Sequence, residues 1–354
     1  MADFYNARGN TYFVARPDEI RQFADLPRTA GEAAETRQRW TVRAVERICR
    51  RRDVSVAIAG GGLPRGGSPR SAAKKYLSDG LLVGPFPDEH ADAAGRFALL
   101  IVNTDGTLAE RSGNGLTIFS QFLVDTGQAN RSDAFFLRVY HGRPSSPFVE
   151  ARIEAGAREG RKGFWIDMGV PTFGAAVVGA SPEYLGVSEF QGQTVSRVFE
   201  LEEIEPSWTC SQFVNVGNPH CVTFLRTPDL LPSMEQLGSE EWLPRLGAVA
   251  NSPESDGIRG SGRPCKNGIN LQWASAIGPN AIAARVFERG EGPTLSSGSS
   301  ATAVASAAKK LGFVDATTVN VKMPGGVAPI RFDEHNDVLE RVMLFGEAER
   351  SNPQ

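Results

Sequence analysis

The sequence is poor in the residues from which metal sites and disulfide frameworks are built. Its 354 residues include only four cysteines and four histidines. The cysteines, Cys49, Cys210, Cys221 and Cys265, show no CxxC spacing. A zinc ribbon and a disulfide scaffold are thereby excluded, and no metal is expected. Scattered free thiols fit a reducing cytoplasm. No excess of one charge is present: 38 Lys+Arg stand against 41 Asp+Glu, a formal net of −3. Without a basic surplus, nucleic acid is not an expected partner. Long apolar runs are missing too. The longest, 97–102, falls far short of the ~20 residues of a membrane helix. The opening residues lack a basic segment followed by an apolar one, so no signal peptide is expected. A cytoplasmic protein with no membrane partner is the expectation.

What is present has the balance of a soluble enzyme, 41 % hydrophobic and 22 % charged. Length alone suggests two domains of roughly 150 residues each. Residues 3–15 read as strand, turn and strand, with Gly9-Asn10 as the turn. Trp40, Ala44 and Ile48 recur at helical spacing, which predicts an amphipathic helix over 32–50. Further helical pattern covers 114–126 and 299–311. Strand-length apolar runs fall at 97–102, 135–140, 164–168, 213–216, 222–225, 269–274, 281–287, 319–321 and 342–345. Many strands with few helices predict an α+β arrangement of curved sheets rather than a doubly wound parallel one. Two Gly-rich stretches, 59–70 and 257–268, read as loops. The first lacks the Lys-Ser/Thr of a phosphate-binding loop.

An internal repeat carries chemical content. Ser112-Gly113-Asn114-Gly115-Leu116-Thr117 and Ser297-Gly298-Ser299-Ser300-Ala301-Thr302 share a Ser-Gly-x-small-x-Thr pattern that opens a helical run. A glycine there lets backbone approach a ligand closely. The first N–H groups of a helix have no internal partner and, with the helix dipole, favour an anion such as a carboxylate. Each Ser-Gly pair alone reads first as an ordinary N-cap; the matched pair shifts the balance toward a site. Around it stand Asn103-Thr104-Asp105-Gly106, nine residues before Ser112, and Glu288-Arg289-Gly290, nine before Ser297. Gly217-Asn218-Pro219-His220 and the strand residue Asn270 complete the polar set.

Together with Gly9-Asn10, these segments resemble the diaminopimelate epimerase family, in order and over residues 3 to about 345. The resemblance implies two pseudo-symmetric domains, each a curved, mostly antiparallel sheet wrapped around a central helix, with the active site in the cleft between. It divides the chain at 1–147 and 148–345, with the last strand, about 346–354, returning to the first domain. It implies a cofactor-independent, pyridoxal-phosphate-free epimerase of amino-acid (lysine) biosynthesis acting on a small amino acid or carboxylic acid. Relatives are often dimers, so a homodimer is an assembly the resemblance allows. By the same resemblance Ser112, Ser297, His220 and Glu288 take the catalytic positions. Asn10, Asn103, Gly113, Asn114, Asn218, Asn270, Arg289, Gly298 and Ser299 take the substrate-binding ones.

The departures carry as much weight as the matches. The family places cysteines where this chain has Ser112 and Ser297. Leu116-Thr117 stands where an Arg follows the first Gly-Asn-Gly, Ser300 where glycine is usual, and Gly80 where some relatives carry a substrate-contacting Gln. A thiol, with a pKa near 8.5, ionises readily at a helix N-terminus, whereas a serine hydroxyl is a far weaker acid. A neighbour must therefore take its proton; the resemblance implies His220 near Ser112 and Glu288 near Ser297, either acting directly or through the serine. Three readings stay open: an epimerase acting at an α-carbon with a diaminopimelate-like substrate, a lyase or double-bond isomerase of a small acid, and a catalytically silent amino-acid-binding protein.

Overall fold

A computed structural model describes residues 2–50, 76–87, 95–143, 146–255, 257–336 and 338–353. The loop read at 59–70 lies outside them. The chain divides into two compact units, residues 1–163 with 347–354, and residues 164–346.

In the first unit β1 (Asp3–Ala7) and β2 (Asn10–Ala15) form an antiparallel hairpin. Its turn residues Arg8 and Gly9 have φ of 53° and 87°, the left-handed pair that suits a tight hairpin and explains glycine there. Short helices α1 (Pro17–Arg21), α2 (Ala30–Glu35) and α3 (Thr41–Ile48) follow. The single helix expected over 32–50 is thus broken, by a 3-10 turn at Arg37–Arg39. Trp40 is the reason: it is fully buried and its Nε1 donates to the carbonyl of Ala33 at 2.9 Å, closing the chain back on α2. Then come β3 (Gly80–Phe86), β4 (Arg96–Asn103), β5 (Leu108–Ala109), α4 (Gly113–Asp125), β6 (Phe135–Arg143) and β7 (Ser146–Arg158).

The second unit takes up β8 (Arg161–Asp167), β9 (Thr172–Phe173), α5 (Ala175–Val178), β10 (Leu185–Phe190), β11 (Gln193–Val198), α6 (Phe199–Ile204), β12 (Ser211–Asn215) and β13 (Pro219–Phe224). It continues with α7 (Met234–Leu237), α8 (Trp242–Ala250), β14 (Asn270–Gly278), β15 (Ala281–Glu288) and β16 (Gly292–Thr294). It ends with α9 (Gly298–Lys310), β17 (Thr318–Met323), β18 (Gly326–His335) and β19 (Val338–Gly346). A last strand, β20 (Glu349–Arg350), pairs antiparallel with β1 and so belongs to the first unit. The division falls after 163 rather than after 147, because β7 pairs with β6 from Phe148 to Ile153 and so stays with the first unit.

The two units repeat one topology. The first runs β20-β1-β2-β3-β4-β6-β7 and is antiparallel except where β2 meets β3 and β4 meets β6. The second contains β11-β12-β13-β14-β15-β17-β18, antiparallel except where β13 meets β14 and β15 meets β17. In both, the central helix lies between the two strands of the second parallel pair. It is buried nearly all round: α4 from Gly115 to Ser120 and α9 from Ser300 to Ala308. A helix with apolar or small residues on every face must be enclosed, and α9 touches seven strands of its own unit. Separate cores fill the units, one around Trp40, Val83 and Leu100, the other around Trp208 and Trp273, whose rings lie 4.7 Å apart.

The stretch 257–268, read as a flexible insertion, is instead pinned at several points. Asn251 Nδ2 donates to the Ile258 carbonyl at 2.8 Å, Ser261 N to Ala248, and Cys265 is buried.

Candidate active site

The two serines of the repeat are built alike. Ser112 caps α4 with φ −142° and ψ 115°, and Ser297 caps α9 with φ −143° and ψ 125°. Each hydroxyl accepts from an amide three residues on, Gly115 at 3.1 Å and Ser300 at 3.3 Å. Thr117 and Thr302 each return a 2.8 Å hydrogen bond to the carbonyl of the following glycine, Gly113 and Gly298. The caps therefore share backbone conformation and supporting bonds. Gly113 with Asn114, and Gly298 with Ser299, supply the first amides of the two helices, where backbone N–H groups are left for an anion.

Around Ser297 the second unit brings together most of the residues expected there. Ser297 Oγ donates to Glu288 Oε1 at 2.7 Å, at the end of β15, and lies 3.4 Å from Ser299 Oγ. Asn270, at the start of β14, accepts from the backbone of Arg289 at 3.0 Å and donates to the Pro219 carbonyl at 3.0 Å. This ties the β13 start to the Glu288-Arg289-Gly290 turn. Arg289 reaches the Asn267 carbonyl at 2.9 Å, and Gly290 N donates to Asn251.

His220 is fully buried on β13. Its Nδ1 accepts from Gln272 Nε2 at 3.0 Å and its Nε2 donates to Asn218 Oδ1 at 2.8 Å. Burial pushes the imidazole pKa down to about 3, against a smaller upward pull from the Gln272 bond. The ring is neutral at pH 7, and both its nitrogens are engaged within its own unit. Gln272 also donates to Ser300 Oγ at 3.1 Å. Asn218, His220, Gln272 and Ser300 thus form a chain that ends one residue-turn from Ser297. Gln272 went unnoticed in the sequence because a lone Gln in an apolar strand gives no signal until its partners are in place.

In the first unit Ser112 stands with a residue the sequence did not single out. Tyr12 OH lies 3.4 Å from Ser112 Oγ. Asn10 opens β2 opposite Ala7. Asn103 closes β4, and its Nδ2 donates to Thr107 Oγ1 at 2.9 Å within the Asp105-Gly106 turn, where Thr107 in turn donates to Asp105.

No group of His, Cys, Asp and Glu among the described residues could hold a metal. All four cysteines are free and buried, and desolvation raises Cys49 to about 11 and Cys221 and Cys265 to about 12. Cys49, Cys221 and Cys265 are thereby held as thiols at neutral pH. No described helix is long and apolar enough to cross a membrane.

The arrangement of twin sheets around central helices is an α+β fold seen in solved proteins. The chain superposes on a hydroxyproline epimerase from Agrobacterium vitis with a TM-score of 0.54 at 14 % identity, over 99 % of this chain and 90 % of the other. A phenazine biosynthesis protein of the PhzF family from Bacillus anthracis gives 0.55 at 11 % identity, over 99 % and 96 %. At the level of sequence, the family model for diaminopimelate epimerase matches residues 212–350. Diaminopimelate epimerase 2 of Nostoc sp. (strain PCC 7120) is 31 % identical over 277 residues, 77 % of this chain and 81 % of that protein. The chain belongs to the diaminopimelate epimerase family.

Proposed function

We propose that this protein is a pyridoxal-phosphate-independent isomerase that moves the proton on the α-carbon of an amino acid, with a diaminopimelate-like diamino dicarboxylic acid as substrate. The observation that carries the reading is the 2.7 Å hydrogen bond from Ser297 to Glu288 at the start of α9. A hydroxyl that donates to a carboxylate is set to take a proton from carbon while passing its own to that carboxylate. Glu288 is then the base, and Ser297 the atom that meets the substrate. The amides of Gly298 and Ser299 favour the substrate carboxylate, whose charge grows as the α-proton leaves. Arg289, held at the backbone by Asn270, is suited to a carboxylate through paired N–H groups. Ser112, Gly113 and Asn114 form the equivalent cap within the first unit. His220 holds Asn218 by its Nε2–H and acts as an orienting group. The four buried thiols fit the reducing cytoplasm.

Incubation of the protein with L,L- and meso-diaminopimelate in deuterium oxide tests this. Deuterium entering the α-position together with inversion is the expected result. Loss of water or a shifted double bond would instead make the protein a lyase or double-bond isomerase. Binding without exchange would make it a silent receptor.

A further inference from the structure

The two serine caps match, yet their proton partners do not. Glu288 stands nine residues before Ser297 and accepts its hydroxyl. Nine residues before Ser112 stands Asn103, an amide that neither takes nor gives a proton at neutral pH, and its Nδ2 is given to Thr107. The group that reaches Ser112 is Tyr12, whose phenol oxygen lies 3.4 Å from the serine oxygen.

The place of Tyr12 in the repeat makes the contact specific. Tyr12 follows Asn10 by two residues on β2, as His220 follows Asn218 by two on β13. In the parallel pairing Tyr12 stands opposite Gly80, and His220 opposite Asn270. The glycine is what admits the ring: a Cβ at Gly80 would sit 2.7 Å from Tyr12 Cε1 and 2.7 Å from the Val102 carbonyl. Tyr12 is only 7 % exposed, so its ring is held by packing. Of the elements packed on β2, β1 carries Asp3 and Tyr5, β3 carries no ionisable residue, and α4 carries Asp125. Tyr5 donates to Asp125 at 3.0 Å. Asp79, ahead of β3, is bound to Thr11, and Arg111 precedes Ser112.

We propose that Tyr12 is a positioning residue that carries the proton for Ser112. This rests on the isomerase reading and names a proton partner for the serine whose repeat position holds Asn103 in place of a glutamate. A phenol, with an ordinary pKa near 10, is a far stronger acid than an aliphatic hydroxyl. As Ser112 gives its proton to the substrate α-carbon, its oxygen takes the phenol proton and Tyr12 is left as phenolate. In the opposite direction Ser112 takes the α-proton as it passes its own to the phenolate, so the C–H bond formed one way is the bond broken the other. After the forward step Tyr12 recovers its proton from solvent. The reverse reaction starts from the phenolate.

Tyr12→Phe keeps the ring against Gly80 and removes only the hydroxyl. In deuterium oxide the variant should lose exchange at least about tenfold from one α-configuration while keeping it from the other. The alkaline limb of its kcat/KM profile should vanish. Equal loss from both configurations, or no loss, overturns the assignment. A second measurement does not depend on turnover. Ionisation of Tyr12, read as the ultraviolet difference between the parent and Tyr12→Phe, should shift by about half a pH unit when Ser112→Ala is introduced in both. An unchanged titration overturns the pairing. A parent that exchanges nothing sinks the isomerase reading, while the titration still decides the Tyr12–Ser112 pair.

Discussion

Ser297 donates its hydroxyl to Glu288 at 2.7 Å while accepting the amide of Ser300 with the same oxygen. One atom thus fixes the helix start and faces the carboxylate. Cap and chemistry are separable by substitution, because they respond differently to the same changes.

Ser297→Ala removes both. Deuterium exchange at the substrate α-carbon should fall by about 10²–10⁴-fold, and chemical denaturation should show a loss of about 1 kcal/mol for the missing cap. Glu288→Gln should lower exchange over the same range while leaving the cap bond in place. Ser297→Cys, and Ser112→Cys, should retain or raise turnover, since a thiol ionises more readily than a hydroxyl. Alanine forms as active as the parent would remove the serines from the chemistry.

Arg289→Lys should weaken substrate binding about tenfold, because a single ammonium cannot offer the paired N–H groups of a guanidinium to a carboxylate. A rise in KM, with kcat less affected, is the expected kinetic signature. The thermal midpoint should stay near that of the parent, since the backbone bond to Asn270 survives the change.

His220 makes stability depend on acid. Its folded pKa of about 3 lies below the 6.5 of an accessible imidazole, so between those values the unfolded chain binds the extra proton. The stabilising contribution is complete above about pH 6.5 and is lost as pH falls toward 3. It amounts to a few kcal/mol at most on the order-of-magnitude scale of 1.4 kcal/mol per unit. His141, also lowered by burial, pulls in the same direction. His220→Gln should flatten the slope of unfolding free energy against pH over this window, whatever its effect at neutral pH. An unchanged slope would mean that the ring is not held neutral.

Gly80→Ala should destabilise by about 1–3 kcal/mol, as overpacking does. The new methyl would meet a backbone carbonyl, which has little freedom to give way. Urea unfolding midpoints of parent and variant would check it.

Much of this was legible in the sequence where local chemistry and periodicity agree. The two Ser-Gly caps announced α4 and α9 to within a residue, and the β1–β2 hairpin followed from Gly9-Asn10 between apolar runs. The helix expected over 32–50 failed because periodicity is blind to a buried Trp40 whose indole donates to a carbonyl seven residues back. β3 was hidden by Gly84-Pro85 within its run, and the β10–β11 hairpin by its polar composition and by Val187, which is 77 % exposed. At the site, Glu288, Asn270 and Ser297 could be named from order and spacing. Tyr12 and Gln272 could not. Each looks like an ordinary strand residue until the fold brings its partner alongside, for Gln272 the parallel neighbour that carries His220, for Tyr12 the cap of α4.

The pairing of β20 with β1 has a consequence for truncation. The second unit is one unbroken span of polypeptide, whereas the first takes its bordering strand from beyond it. A chain cut after Gly346 would keep every residue of the second unit and leave β1 without its outer neighbour at Tyr5 and Asn6.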